Sequence, residues 1–294
     1  MISSWPAVLG LLLLAFTLRE VFRDLFHPTA TGSLSDFVAS GTFNLFRHFP
    51  RFLTDAAPLA IVLVILIWSL SVCIGFALIY WAVPPHYFKI ESGQPPAGFL
   101  SMAYFSLEVL TTLGLGDYAP IPIWLRLIAT LEALVGFGVL TASISSIILL
   151  HLALGRVRTL SRRISQLMRA EHELQFSFEG TGSDELLRSL ASDLAGVRVD
   201  LVQFPLVYYF YSDQQHAALP NVLPYALKLT ESGLSRDKTE HVLRAASVLR
   251  FALLDIADTL RERFVDVQSG ECAAVFRAYA LHHRPHGRNV GDLG

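Results

Sequence analysis

The polarity of the chain changes in long blocks. Trp5 to Leu18 is apolar, Ala56 to Val83 holds no Asp, Glu, Lys or Arg, and Leu127 to Leu154 holds one formal charge, Glu132. A helix crosses the hydrocarbon of a bilayer with about 20 predominantly apolar residues, so the two longer blocks predict spanning helices. A buried helix of that length in a soluble protein is unusual. The first block is shorter and competes with a signal peptide. No Lys or Arg precedes it, and no small-residue cleavage site follows directly. Its helical pattern runs on through Arg19 and Arg23 to His27-Pro28, which predicts an uncleaved helix over residues 1–28, spanning or partly interfacial. Residues 29–55 read as an amphipathic cytoplasmic connection whose Phe37, Phe43, Phe46, Phe49 and Phe52 lie at the membrane surface.

Beyond Leu154 the pattern becomes that of a soluble helical domain, residues 155–294. Ser183-Asp184-Glu185 opens an amphipathic helix with Leu186, Leu187, Leu190 and Leu194 on one face. Ser235 opens a longer one, with Val242, Leu243, Ala246, Leu249, Leu253 and Ile256 at helical spacing. Glu271 to Leu281 predicts a last helix, and the aromatic run Phe204 to Tyr211 belongs to the core. Leu174, Phe176 and Phe178 alternate, as a short strand or a linker would.

Composition strengthens the membrane reading. Hydrophobic residues make up 53% of the chain and charged residues 16%, against roughly a quarter charged in an average soluble domain, and the mean hydropathy is +0.48. The net charge of −2 offers no field for nucleic acid. The two cysteines, Cys73 and Cys272, are expected to be reduced thiols. Basic residues set the orientation. Arg47 and Arg51 precede the first long span and Arg156, Arg158, Arg162 and Arg163 follow the second, while the connection holds only Lys89 and Arg126. Residues 84–126 are thus expected outside and both flanks in the cytoplasm. Arg19 and Arg23 place the N-terminus of the first helix outside.

The outer connection carries the chemistry. Pro84-Pro85 ends the first span, and Gly93 to Gly98 forms a turn-rich rim. Phe99 to Leu110 is a helix pattern too short to span, and Thr111-Thr112-Leu113-Gly114-Leu115-Gly116-Asp117 follows it. A short helix and a loop with alternate glycines between two spans predict a re-entrant segment, tolerated at membrane depth only inside protein or along a water-filled path.

This run resembles the pore loop of the potassium-channel superfamily, whose usual filter reads T-V-G-Y-G-D, and is nearest to bacterial channels with two transmembrane helices. Tyr104-Phe105-Ser106-Leu107-Glu108, the filter, Trp124-Leu125-Arg126 and Gly136 all fall at family spacing. The physics agrees. A dehydrated cation needs oxygen ligands in place of water, and rings of backbone carbonyls supply them. Gly114 and Gly116 adopt the unusual dihedrals this requires without a Cβ clash. The resemblance implies K+ held by the carbonyls of Thr112, Leu113, Gly114 and Leu115, with Gly116 completing the filter and Thr111 supporting it. It also implies a homotetramer, since one chain supplies one loop and the family's ring needs four. The modules are then an outer helix at 56–83, a pore helix at 99–111, a filter at 112–117 and an inner helix at 123–154.

Several neighbours of the filter carry further expectations. Leu115 stands where Tyr is usual, which loses a phenol tie; Phe105 is expected to pack against it, and potassium-over-sodium selectivity is the property at stake. In the resembling channels a carboxyl at Glu108 meets the one at Asp117 behind the filter, sharing a proton because two such groups cannot both ionise cheaply; the alternative is a locally capped Glu108 and a solvent-facing Asp117. Tyr104 is placed to donate to Asp117. Glu132 is an intramembrane carboxyl, either neutral and bonded to groups behind the filter or a cavity charge that concentrates cations. Gly136 and Gly138 are either a gating hinge or sites of close helix packing.

No helix carries the regular Arg or Lys spacing of a voltage sensor, and no second inverted repeat suggests a transporter. The C-terminal domain lacks the G-x-G-x-x-G fingerprint of nucleotide-binding regulatory domains. It assembles the tetramer, senses a ligand or binds a cytosolic partner. The five arginines between Arg156 and Arg169 either meet anionic headgroups or only signal topology, and His282, His283 and His286 read as a flexible polar tail. No nucleophile–base set points to an enzyme, and no cofactor is implied beyond K+ as the permeant ion. The expectation is an all-α membrane protein: a pore-loop tetrameric cation-channel module with an extra N-terminal helix and a C-terminal helical cytosolic domain, in the plasma (inner) membrane. Its expected function is passive potassium conduction. The rivals are a less selective monovalent-cation channel and a non-conducting signalling or scaffold protein.

Overall fold

Segregation of apolar runs from amphipathic ones divides the chain into two compact units, residues 1–35 with 61–147 and residues 36–60 with 148–294. The computed structural model describes residues 4–26, 34–46, 56–90, 98–174, 182–210 and 217–283. The helices are α1 (Trp5–Phe26), α2 (Leu34–Phe46), α3 (Ala56–Trp81), α4 (Phe99–Leu110), α5 (Ile123–Leu174), α6 (Ser183–Gln203), α7 (Leu219–Gly233), α8 (Glu240–Arg263) and α9 (Cys272–His282). Three of them, α1, α3 and α5, are long and apolar enough to cross a membrane.

In the first unit α1 lies antiparallel against α3. Trp5 meets Trp81 edge-on at 6.0 Å between ring centroids, and Gly10 faces Gly75 so closely that a Cβ on either would strike the other helix. The partners run in opposite order along the two helices, and α1, like α3, is long and apolar enough to cross a membrane. Small residues let backbones approach where lipid offers no hydrophobic drive to associate. A short antiparallel ribbon, not anticipated from the sequence, frames the pore-loop segment. Phe88–Ile90 (β1) pairs with Tyr118–Pro120 (β2), and Ile121 donates its N–H to the Tyr87 carbonyl at 2.8 Å.

The second unit has a conventional amphipathic core. Buried stripes on α6 (Leu187, Leu190, Leu194, Val197, Leu201) and on α8 (Leu249, Leu253, Ile256, Leu260) recur every three or four residues, and the two helices pack together, with α7 and α9 beside α8. The C-terminal half of α5 is anchored to α6 by charge. Arg156 forms a two-pronged ion pair with Asp200, and Arg163 donates to Asp193 at 2.7 Å and to Ser189 at 2.6 Å. The arginines and the aspartates are each seven residues apart, two turns, and pair in reverse order as antiparallel helices require. These two arginines are therefore engaged by α6 rather than by headgroups, while Arg158 and Arg162 are exposed.

Two expectations change here. Phe43 is not at a membrane surface; it is buried against the rings of Tyr209, His282 and His283. His282 and His283 are not a flexible tail either. His282 lies in α9 with Nδ1 at 2.7 Å from the Tyr208 hydroxyl, and His283 is buried beside Tyr208 and Tyr279. The aromatic run forms a 3-10 turn, Pro205–Tyr209, whose Tyr208 is fully buried and stacks on Phe264 at 4.2 Å. Burial among these rings pushes the Tyr209 phenol up to about 12. The expected rim at 93–97, the strand through Phe176 and Phe178, and Arg47, Phe49, Arg51, Phe52 and His286 lie outside the described residues.

Candidate functional site: the loop after the short helix

The short helix α4 ends where its backbone is caught by its own last turn. Thr111 caps it, its hydroxyl donating to the Leu107 carbonyl at 2.7 Å. Thr112 and Leu113 then donate their N–H groups to the carbonyls of Val109 and Glu108, both at 3.0 Å. With the chain so held, Thr112, Gly114 and Gly116 take φ values of 56°, 62° and 84°, and Thr112 is the only non-glycine with positive φ among the described residues. Left-handed backbone costs an L-residue roughly 1–2 kcal/mol and is a true outlier for β-branched Thr. Such strain persists only where its surroundings impose it, and it clusters at functional sites. Leu113 and Leu115 keep negative φ. In a strand successive carbonyls point to opposite sides; reversing the hand at every second residue turns them to one side. Residues 111–115 are exposed in the single chain.

The back of the loop is tied to α4 at two points. Glu108, 5% exposed, accepts the Gly116 N–H on Oε1 at 2.7 Å, and its Oε2 is buried without a partner. Asp117 accepts from the Tyr104 hydroxyl at 3.0 Å, and the Tyr104 ring lies edge-on to Tyr118. Among the described residues no hydrogen bond joins Glu108 to Asp117, so the expected carboxyl pair is replaced by two separate ties. An N–H to Glu108 Oε1 and a phenol to Asp117 make these ties without setting like charges together. Phe105 also departs from expectation. It is buried edge-on against Tyr80 and Phe88, at 5.0 and 5.5 Å, while Leu115 stands 58% exposed. Phe105 thus fixes α4 to α3 and the β-ribbon, because three aromatic rings bury more apolar surface than a Phe–Leu contact at an open loop.

Glu132 is 0% exposed. Tyr80 donates to its Oε2 at 2.6 Å and Ser106 Oγ contacts its Oε1. Sequence reasoning named Glu132 but not Tyr80 as its partner; the available signal was a pair of polar groups, Tyr80 and Ser106, each inside an apolar helix and each needing a partner there. One turn further along α5, a Cβ on Gly136 would fall 2.7 Å from the Leu110 carbonyl, whereas Gly138 faces open space. Of the two readings for these glycines, the geometry at Gly136 is close packing against the end of α4. Arg126 donates to the Pro120 carbonyl at 2.8 Å and steadies the exit of the loop.

The loop therefore offers backbone oxygens, not side-chain carboxylates or imidazoles. Among the described residues no group of three His, Cys, Asp or Glu could hold a metal ion. A run of carbonyls with the negative end of α4 behind it suits a monovalent hard cation in transit.

Comparison with known proteins places this segment. A Bacillus subtilis (strain 168) protein described as "Uncharacterized membrane protein YdjJ" is 24% identical over 242 residues, covering 80% of this chain and 70% of that one. No solved structure matches the chain. Residues 61–150 match the family model described as "Ion channel". That match opens inside α3 and closes inside α5, so it contains the whole of α4 and the left-handed loop, and over this stretch the chain is similar to the ion-channel family.

Proposed function

We propose that four copies of this chain surround one axis and conduct K+ passively down its electrochemical gradient. The observation that carries this reading is the alternation of backbone hand at Thr112, Gly114 and Gly116, which strains the β-branched Thr112 and turns successive carbonyls to one side. The carbonyls of Thr112, Leu113, Gly114 and Leu115 are the ligands in this reading. The apolar face of α5 supports the assembly. Leu127, Leu131, Leu134, Phe137 and Leu140 are all exposed in the single chain, a face that neighbouring copies would cover. The basic residues support a plasma-membrane orientation with residues 84–126 outside and the C-terminal domain in the cytoplasm.

Leu115 favours a second reading, a pore with weaker discrimination. Its side chain has no hydroxyl, and Phe105 is engaged elsewhere, so no polar tie holds the loop at that level. Purified protein in potassium-loaded liposomes separates these readings. The expected result is K+ efflux without an added ionophore and a reversal potential near that of K+ under K+/Na+ gradients. Equal permeability would establish the less selective pore, and absence of flux from assembled protein would refute conduction and leave a scaffold role.

A further inference from the structure

Ser106 carries one hydroxyl hydrogen but faces two acceptors, the Cys73 carbonyl at 2.9 Å and Glu132 Oε1. Tyr80 supplies the hydrogen for Glu132 Oε2. If Glu132 were ionised, one of the two contacts at Ser106 would lack a hydrogen. If Glu132 carries its own, each contact has one: Tyr80 to Oε2, Oε1 to Ser106 Oγ, and Ser106 to the Cys73 carbonyl. A carboxyl held away from water and lipid by neutral donors alone satisfies its hydrogen bonds in this form without a buried charge.

The arrangement joins three helices. Tyr80 and Cys73 belong to α3, Ser106 to α4 and Glu132 to α5. Ser106 sits two residues before Glu108, whose carboxylate group holds the Gly116 N–H at the filter. One turn beyond Glu132, Gly136 meets Leu110, four residues beyond Ser106. The inner helix thus touches the short helix at two successive levels, one polar and one by backbone approach. We infer that Glu132 is a positioning residue, a neutral hydrogen-bonded latch that keeps α4 and the filter in register with the inner helix, and not a charge that draws cations into the cavity. This inference rests on the conduction reading above.

The test compares reconstituted wild type with Glu132→Gln, Glu132→Ala, Tyr80→Phe and Ser106→Ala in single-channel recordings at low and high KCl. An amide keeps a donor and an acceptor without charge, so Glu132→Gln is expected to retain wild-type conductance at both salt levels. Glu132→Ala leaves Tyr80 and Ser106 unsatisfied and is expected to lower open probability by about tenfold or more. Tyr80→Phe and Ser106→Ala should each lower it, with effects that do not add to that of Glu132→Ala. A loss of unit conductance in Glu132→Gln that fades at high salt is the mark of a cavity charge and would overturn the latch. Unchanged gating in Tyr80→Phe and Ser106→Ala would overturn it as well, and both remain informative if Glu132→Ala does not assemble. Silent wild-type protein would refute conduction itself, a result distinct from any pattern among the variants.

Discussion

The two units bury opposite things. In the first, Glu108, Ser106 and Glu132 are inside while Leu127, Leu131, Leu134 and Phe137 point outward. In the second, leucine stripes are inside and most charges are exposed. The difference is one of solvent: lipid accepts an exposed leucine and gives an exposed carboxyl nothing, whereas water reverses both preferences. The carboxyls show it most sharply. Glu108 and Glu132 are met by an N–H, a phenol and a serine, but Asp200, 1% exposed, is met by the Arg156 guanidinium. Neutral donors hold the carboxyls of the first unit without placing a fixed cation there, while a two-pronged ion pair locks one helix on another in the second.

The hardest strike at this contrast is at the loop. Gly114→Ala and Gly116→Ala place a Cβ on left-handed backbone, and K+ flux should fall below a tenth of wild type, since a strain of roughly 1–2 kcal/mol is forced where carbonyls must align. The second unit should still melt at its usual temperature; persistent flux would remove the loop from the ion path. Next is Arg156→Ala, which strands the buried Asp200 carboxylate and should destabilise the second unit by about 2 kcal/mol, the half-exposed arginine keeping the loss below that of a fully buried pair. Faster amide exchange in α6 reads it, and adding Asp200→Asn should recover most of the loss. Gly136→Ala drives a methyl into the Leu110 carbonyl and should cost about 1–2 kcal/mol of assembly stability, while Gly138→Ala should change it by less than about 0.5 kcal/mol. The reverse ranking would mark a hinge instead of a packing site.

The smallest effect sharpens the water-facing side. Lys228 donates to Glu171 at 2.9 Å, and the Tyr225 hydroxyl and this ammonium hold the Glu171 carboxyl below the usual glutamate range. A carboxyl lowered in the folded state contributes stability in full above its unfolded value and loses it as pH falls through the lowered one. Melting temperature of the wild type should therefore decline on acidification through that window. Lys228→Ala should make the decline shallower and cost under about 1 kcal/mol at neutral pH, as partly exposed pairs do. An equally steep acid decline in the variant would detach Glu171 from the effect.

Much of the membrane unit was legible because its signals are local. Phe99 to Leu110 was readable as a helix from its own pattern, and the glycines at 114 and 116 announce left-handed backbone wherever they occur. Thr112 was not legible as a third left-handed residue, since nothing in Thr prefers that region; the bonds to Val109 and Glu108 impose it. The ribbon of Phe88–Ile90 and Tyr118–Pro120 was missed for a related reason. Each strand is too short to show a period, and its partner lies beyond an intervening helix. The histidines misled because a run ending in Arg284-Pro285 looks like a tail, although His283 is buried by rings from distant segments.

By itself, the order of residues determined which segments are long and apolar enough to cross a bilayer and where glycines free the backbone to take the left hand. Those properties follow from the length of apolar runs and from single-residue dihedral freedom, both fixed by neighbours in the chain. The tertiary structure alone decided who serves these carboxyls: Gly116 for Glu108, Tyr80 and Ser106 for Glu132, Arg156 for Asp200. A hydrogen bond such as that between Tyr80 and Glu132 joins residues 52 positions apart. Its existence depends on how helices cross to within ångströms, a geometry that no local pattern encodes.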